Sequence, residues 1–317
     1  MGRRRFAIDA HGTQPRPDRP FSGRTVGIGN RLDEPLARFE RPRPQGPVMA
    51  RAKSLRALRS GVQIVGYETD TPGEEPALLL ADDGDVQRRA LQPGERLELS
   101  LKQRHCAGTI DGSGDTLRHL ACDAQQAPYC PQHTDRWPCA RCTGDCDLPL
   151  STCREEHAVY LAAFAPATFK VGVTRSWRLE TRLREQGADR AAHIRTVENG
   201  RIARQIEADI ATDVGDRVRV PTKIEGLHRT VDADAWADLL AGYDPIATYT
   251  FDYGLDIDDR PVVETMATGT IRGSKGRVLV LERAGSTYAV DMRQLIGYDV
   301  GRQAASRQLQ SSLSAFE

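Results

Sequence analysis

The chain has 317 residues, enough for two or three modules, with 39% hydrophobic and 28% charged residues. Those shares exclude a collagen-like or wholly disordered chain, and no apolar run approaches the roughly 20 residues of a membrane-spanning helix. Lys+Arg and Asp+Glu balance at 44 each, so no global positive field exists and any nucleic-acid contact must come from a local patch.

The balance hides a gradient. Residues 1–48 carry ten Arg against five acids and seven of the 18 prolines, which leaves 34 basic and 39 acidic groups over 49–317. Such a segment buries too little apolar surface to offset its ordering entropy. It is expected to be a disordered basic tail, or sequence upstream of a functional start at Met49. Arg3, Arg4 and Arg5 are followed by no apolar h-region, so a secretory signal is not expected. A cytoplasmic location without membrane contact is the expectation.

From Gly61 the runs VQIVGYE, ALLLAD and RLELSL read as strands separated by the turn-rich TPGEE and ADDGD, giving an N-terminal β region over 49–105. A Cys-rich module over 106–156 follows. All seven cysteines lie between Cys106 and Cys153, in a chain with neither a signal peptide nor an even count, which argues against a disulfide framework. Cys139-x2-Cys142-x3-Cys146-x6-Cys153 has ligand-type spacing, and Cys130 stands nine residues upstream. Thiolates this close together can share one tetrahedral Zn²⁺ at little loop-closure cost. Seven Cys with one His would fill two closed sites, so one or two structural zincs are expected. Cys106 and Cys122 complete the candidate set. His133 (Cys130-x2-His133) and His157 (Cys153-x3-His157) have suitable spacing, while His105 and His119 adjoin Cys106 and Cys122. Spacing leaves the pairing open.

Next, HAVYLAAF, a turn at Pro166 and FKVGVT read as a hairpin. Residues 176–186 read as a helix with Ser176 as N-cap and Gly187 as C-cap glycine. AAHIRTV is a third strand. Arg201 to Ala211 is a second helix, with Ile202, Ile206 and Ile210 on one stripe and Glu207 bordering it. The module over 157–213 is therefore ββαβα. A helical linker over 214–245 holds a helix from Asp232 to Gly242. A C-terminal β region over 246–300 contains ATYTFDY, ATGTIRG, RVLVLER, STYAV and LIGYDV, and 301–317 is a polar tail. Two echoes, GTIDGSG with GTIRGSK and VGYET with IGYDV, suggest that the two β regions pair as one barrel-like or sandwich domain. The expected class is α+β, with the zinc and ββαβα modules inserted.

Strand VYL, then FKVGVT, an Arg in the next helix and a helical Glu together resemble the GIY-YIG nuclease superfamily. The closest branch is the variant whose second signature reads K-[IV]-G. The fuller string, with the Cys cluster, EHAVYLAAF, KVGVTR, R-x3-QGA and AR-x2-E, is similar to an uncharacterised family of archaeal and actinobacterial proteins. The resemblance implies that Tyr160 matches the first signature tyrosine and Lys170 and Gly172 the second signature. It further implies that Arg182, or Arg178 one turn earlier, matches the helix arginine, and Glu207 the metal-binding glutamate. Three departures bear on catalysis more than on fold: Ala158 replaces the first Gly, Lys170 replaces the second tyrosine, and the Arg-to-Glu gap is short.

The chemistry stands on the residues themselves. Phosphodiester hydrolysis needs an activated nucleophile, counter-charge for the pentacoordinate phosphate and leaving-group help. Glu207 can bind Mg²⁺ or Mn²⁺ through one oxygen, and Arg182 or Arg178 can grip phosphate. Lys170 can lower the Tyr160 phenol or bind phosphate itself, and Gly172 would admit close backbone approach to substrate. The expected function is metal-dependent cleavage of DNA or RNA. The alternatives are a non-catalytic nucleic-acid-binding zinc protein and, more remotely, a thiol redox protein using Cys139 and Cys142.

Overall fold

The computed structural model describes residues 61–112, 116–134, 143–145 and 151–301, all within one compact unit. The segment 1–48, Met49, Cys139, Cys142, Cys146 and residues from 302 onward lie outside the described residues.

The chain opens with β1 (Val62–Glu68), β2 (Ala77–Asp82), β3 (Asp85–Ala90) and β4 (Arg96–Arg104), then the short β5 (Thr109–Asp111) and β6 (Arg118–Leu120). The strand pattern marks β1, β2 and β4 but not β3, whose DVQRRA is too polar. Turn chemistry makes it a strand. Asp83 and Gly84 take φ of 48° and 88°, the pair of positive values that a two-residue type I′ hairpin demands, and β3 pairs with β2 along its whole length.

The middle of the chain forms β7 (His157–Phe164), β8 (Thr168–Arg175), α1 (Leu179–Gln186), β9 (Arg190–Val197), α2 (Gly200–Val214), α3 (Val220–Glu225), α4 (Ala233–Leu240) and β10 (Ala247–Thr250). The ββαβα order matches the expectation. The strands build a sheet in the order β10-β9-β7-β8, so ATYT joins this sheet and not the C-terminal β region. β7 is apolar at nearly every position because helices cover both of its faces. Ala158, Tyr160, Ala162 and Phe164 pack with Leu179 and Leu183 of α1. Val159, Leu161 and Ala163 pack with Ala203, Ile206 and Ile210 of α2 and Trp236 of α4.

Caps explain most helix ends. Gly187 closes α1 at φ 67°, its N–H reaching the Arg184 carbonyl, and the Asp232 carboxylate accepts from the Asp234 and Ala235 amides at the start of α4. Ser176 does not cap α1: residues 176–178 form a 3-10 turn, the helix starts at Leu179, and the buried Ser176 Oγ has no hydrogen-bond partner. Its backbone N–H instead holds the Glu156 carbonyl across the hairpin mouth at 3.0 Å. Asn199 caps α2, accepting from the Ile202 amide at 3.0 Å. Asn199→Ala is expected to cost about 1 kcal/mol in urea unfolding and Asn199→Asp almost nothing; equal midpoints would refute the cap.

The chain ends with β11 (Val262–Val263), β12 (Ala267–Lys275), β13 (Val278–Arg283), β14 (Ser286–Asp291), α5 (Met292–Leu295) and β15 (Tyr298–Gly301). These strands join the first six in one sheet of order β11-β14-β13-β12-β4-β15-β1-β2-β3-β6-β5. The two β regions do pair, but as an open sheet with no closed barrel among the described residues. Its core gathers Ile64, Leu78, Leu91 and Leu97 with Ile271, Leu279, Leu281 and Leu295, each fully buried side chain worth about 1.5–3 kcal/mol of transfer free energy.

The sheet repeats one motif twice. β1 bulges between Ile64 and Gly66, and β12 between Ile271 and Gly273. The next hairpin turns at Asp83-Gly84 in one copy and at Ala284-Gly285 (φ 51° and 75°) in the other. Gly94 then donates to the Ile271 carbonyl at 2.7 Å, and Gly297 to the Ile64 carbonyl at 2.8 Å. The fourth strands are exchanged, β4 pairing with β12 and β15 with β1. GTIRGSK is thus the structural counterpart of QIVGYE, not of GTIDGSG. VGYET and IGYDV fall on the partner strands β1 and β15.

The two sheets abut where Gly187 meets Gly276: a Cβ on Gly276 would lie 2.7 Å from the Gly187 nitrogen. Beside them the buried Lys275 ammonium holds Asp189 at 2.5 Å. No helix among the described residues is long and apolar enough to cross a membrane.

Candidate functional site

Beyond β4 the chain makes a compact knuckle. Cys106 leaves the strand end, the β5–β6 hairpin loops out and back to Cys122, and a tight turn (His133 N–H to Cys130 carbonyl, 3.0 Å) carries Cys130 and His133. Ligand atoms of Cys106, Cys122, Cys130 and His133 lie within 4.8 Å of one another. His133 Nδ1 is 3.4 Å from Cys106 Sγ and 3.2 Å from Cys130 Sγ, and the Cys122 and Cys130 sulfurs are 3.9 Å apart. Metal–ligand bonds of about 2.0–2.3 Å give tetrahedral edges of roughly 3.3–3.8 Å, so this cluster can close around one metal ion.

The surroundings favour thiolate at Cys130. Amides of Gly108 and Cys130 donate to Cys106 Sγ at 3.4 and 3.2 Å. Burial pushes the Cys130 thiol up, but the Gln132 and His133 amides outweigh it and bring it down to about 6. For Cys122 the Ala124 amide lowers the thiol, yet burial and the two neighbouring sulfurs leave it raised. His105 and His119 support the knuckle without joining the cluster. The buried His105 ring holds Asp299 of β15 at 3.0 Å, and His119 Nε2 bonds the Ala107 carbonyl at 2.8 Å. Cys153 and His157, both expected as ligands, stand elsewhere: they pack against Gly200 at the start of α2, and His157 Nδ1 donates to the Glu155 carbonyl at 2.8 Å.

The second group of expected residues gathers along the edge strand β8. Tyr160 on β7 stands opposite Gly172, and its ring lies flat over that glycine. A Cβ there would sit 2.5–2.9 Å from Tyr160 Oη, Cζ and Cε2. Gly172 therefore makes room for the phenol, not for substrate backbone. Tyr160 is 1% exposed and its Oη accepts from Gln186 Nε2 at 2.6 Å. Burial raises its pKa, with Arg182 pulling the other way, so the expected lowering by Lys170 is not what the phenol experiences. Lys170 is itself pulled down to about 8, first by burial and then by Arg182, while Glu207 and Asp216 oppose the shift.

Arg182 and Glu207 are thus each close enough to act on both the Tyr160 phenol and the Lys170 ammonium, although α2 covers the other sheet face. Both charges have partners: Arg182 holds Glu185 at 3.1 Å, and Arg204 holds Glu207 at 2.6 Å. Of the two candidate arginines, Arg182 is the one that acts on the phenol; Arg178 binds Glu185 at 2.7 Å and lies beside the Trp177 ring. Glu207 offers a carboxylate that a hard divalent ion could share with water, in competition with Arg204.

Arg182 also lines a cleft of about 1120 Å³ between the helices α1 and α3 and the larger sheet. Lys223 of α3 and Arg277 of the β12–β13 turn enter the same cleft. No sequence signal marked either one, because they come from segments with no motif of their own.

The fold and site define a mixed α+β protein with a Cys3His cluster capable of holding a metal ion. Residues 94–251, from β4 through β10, match the family described as "Protein of unknown function (DUF2797)". No curated protein and no solved structure shows significant similarity to the chain.

Proposed function

We propose that the chain is a zinc-stabilised nuclease of GIY-YIG type that cleaves phosphodiester bonds in DNA or RNA. One observation supports this reading: Tyr160 of β7 packs on Gly172 of β8, and Arg182 of α1 and Glu207 of α2 both bear on that phenol and on the Lys170 ammonium two residues before Gly172. Zinc suits the Cys3His donor set, because thiolate and imidazole favour that ion and a closed four-ligand site is a structural one.

Arg182 turns from Glu185 to the scissile phosphate, where its paired donors meet the developing charge. Tyr160, raised by burial, keeps its proton and, held by Gln186 Nε2, fixes the floor of the site beside Gly172. Lys170, at about 8, is the group poised to take a proton from the attacking water near neutral pH. A divalent ion at Glu207 would supply further counter-charge to the phosphate.

Purified protein with Mg²⁺ is expected to cut plasmid or RNA substrates, and Glu207→Ala and Lys170→Met to slow cleavage by about 10²–10⁴ with the melting temperature retained. The rate should climb with pH up to about 8 as Lys170 deprotonates, then level. Cleavage indifferent to both substitutions would refute the site. The ion pairs on Arg182 and Glu207 favour one other reading, non-catalytic nucleic-acid binding; retained binding without turnover in any divalent ion would select it.

A further inference from the structure

The cleft beyond Arg182 has a second wall, supplied by the other sheet. Among its lining residues are Arg219 and Lys223 next to the smaller sheet and Arg277 and Arg293 from the larger one. Its carboxylates are largely paired already: Glu68 with Arg88 outside the cleft, Glu185 with Arg178 and Arg182, and Asp291 with Arg277. Arg219 and Arg293 have no ion pair among the described residues.

Lys223 and Arg277 both have donors to spare. The Lys223 ammonium gives one hydrogen bond to the Gln186 carbonyl at 2.6 Å and lies over the Phe164 ring, with no carboxylate paired to it. Burial pulls it down to about 7, and Lys170 on β8, Arg277, Arg182 on α1 and Lys275 on β12 all push the same way. Burial and these four cations therefore act on the ammonium in one direction, and Glu185 and Asp291 of the cleft are already engaged. Arg277 binds Asp291 through Nη2 at 2.8 Å, while its buried Nε has no hydrogen-bond partner. An orphaned buried donor beside an under-used ammonium is costly unless an acceptor arrives.

We propose that Lys223 and Arg277 form a second phosphate subsite, which holds the backbone of a nucleic-acid strand in the same cleft as Arg182, Lys223 beside the end of α1 and Arg277 on the larger sheet. The inference rests on the reading that Arg182 meets a nucleic-acid phosphate. It adds that the strand is gripped by both sheets at once, so the larger sheet is part of the binding site and not only a scaffold. A phosphate there gives Arg277 Nε its acceptor and offsets the mutual repulsion of the five cations.

The test separates binding from cleavage. A fluorescein-labelled single-stranded 12-mer is titrated by anisotropy, without divalent ions, into the full chain carrying Glu207→Ala. Lys223→Gln and Arg277→Gln on that background should each weaken binding roughly tenfold and lower the log–log salt slope by about one. Lys223→Arg should restore affinity. It should also abolish the loss of affinity that the parent shows as pH rises from 6 to 8, because only the ammonium form of Lys223 holds an anion.

Inorganic phosphate should compete only at far higher concentration than the 12-mer; equal potency would identify a free-phosphate site and overturn the strand. Binding unchanged in both Gln variants, or no binding at all, overturns the subsite. Cleavage dependent on Glu207 with unchanged binding leaves the nuclease reading intact and removes only this inference. Binding dependent on Lys223 without any cleavage does the reverse.

Discussion

Cys130→Ser is expected to release one equivalent of bound metal and to lower the melting temperature by the largest amount of any single substitution in the knuckle. The segment has little else to hold it. β5 and β6 are three residues each, and the apolar side chains beneath them are few: Ala107, Ile110 and Tyr129 against Val65, Leu79 and Ile296. A structural zinc contributes on the order of 10 kcal/mol to small metal-dependent folds, more than those contacts supply at about 1.5–3 kcal/mol per fully buried side chain. Chelation by excess EDTA should reproduce the effect in the wild type, and added Zn²⁺ should reverse it. Atomic emission on purified wild type and variant, with thermal melts of both, checks the expectation. Unchanged metal content with an unchanged melt would mean that the four side chains gather without an ion.

Gly172→Ala should cost about 1–3 kcal/mol or more and remove cleavage with it. The added methyl would sit 2.5 Å from Tyr160 Oη and 2.6 Å from Cζ, closer than real contacts allow. The ring cannot retreat: it is fully buried between β7 and α1, and Gln186 holds its hydroxyl. Tyr160→Phe removes only the oxygen and leaves Cζ and Cε2 in the way, so it should not rescue the variant. Tyr160→Ala clears the space at the expense of a cavity. The double variant should then be more stable than the sum of the two single costs, a coupling that urea unfolding reads directly. Strict additivity would show that ring and glycine do not share that space.

Local signals led to most of the smaller sheet. Gly187, Asn199 and Asp232 stand where helix-end chemistry puts them, and the apolar run of β7 reads as a strand covered on both faces. Ser176 misled because a side chain that suits a cap is unused when its backbone is already bonded across a hairpin. β3 escaped for the opposite reason, since its charged DVQRRA hides the strand while the Asp83-Gly84 pair before it announces a hairpin. In the Cys-rich module the eye falls on the dense Cys139-to-Cys153 run, most of which lies outside the described residues. Among the described residues the cluster draws on Cys106, Cys122, Cys130 and His133, which the β5–β6 loop brings together from 28 consecutive residues. The elements that carry Tyr160, Lys170, Arg182 and Glu207 were legible in the sequence. Their environments were not, since burial of the phenol and the grip of Arg204 on Glu207 depend on packing. Lys223 and Arg277 were invisible for a stronger reason: only the meeting of two sheets makes them neighbours.

The exchanged fourth strands of the larger sheet are the pattern that two separate polypeptides make when each lends a strand to its twin. Fused head to tail, such a pair needs a tether, and here the tether runs from Arg104 to Ala267, between strands that lie side by side. The knuckle and the smaller sheet both hang in that tether, while Arg277 and Arg293, which follow it in the chain, face the cleft that the larger sheet shares with it. The segment lends β5, β6 and β11 back to the symmetric core, and in return it inherits a partner wall against which to close.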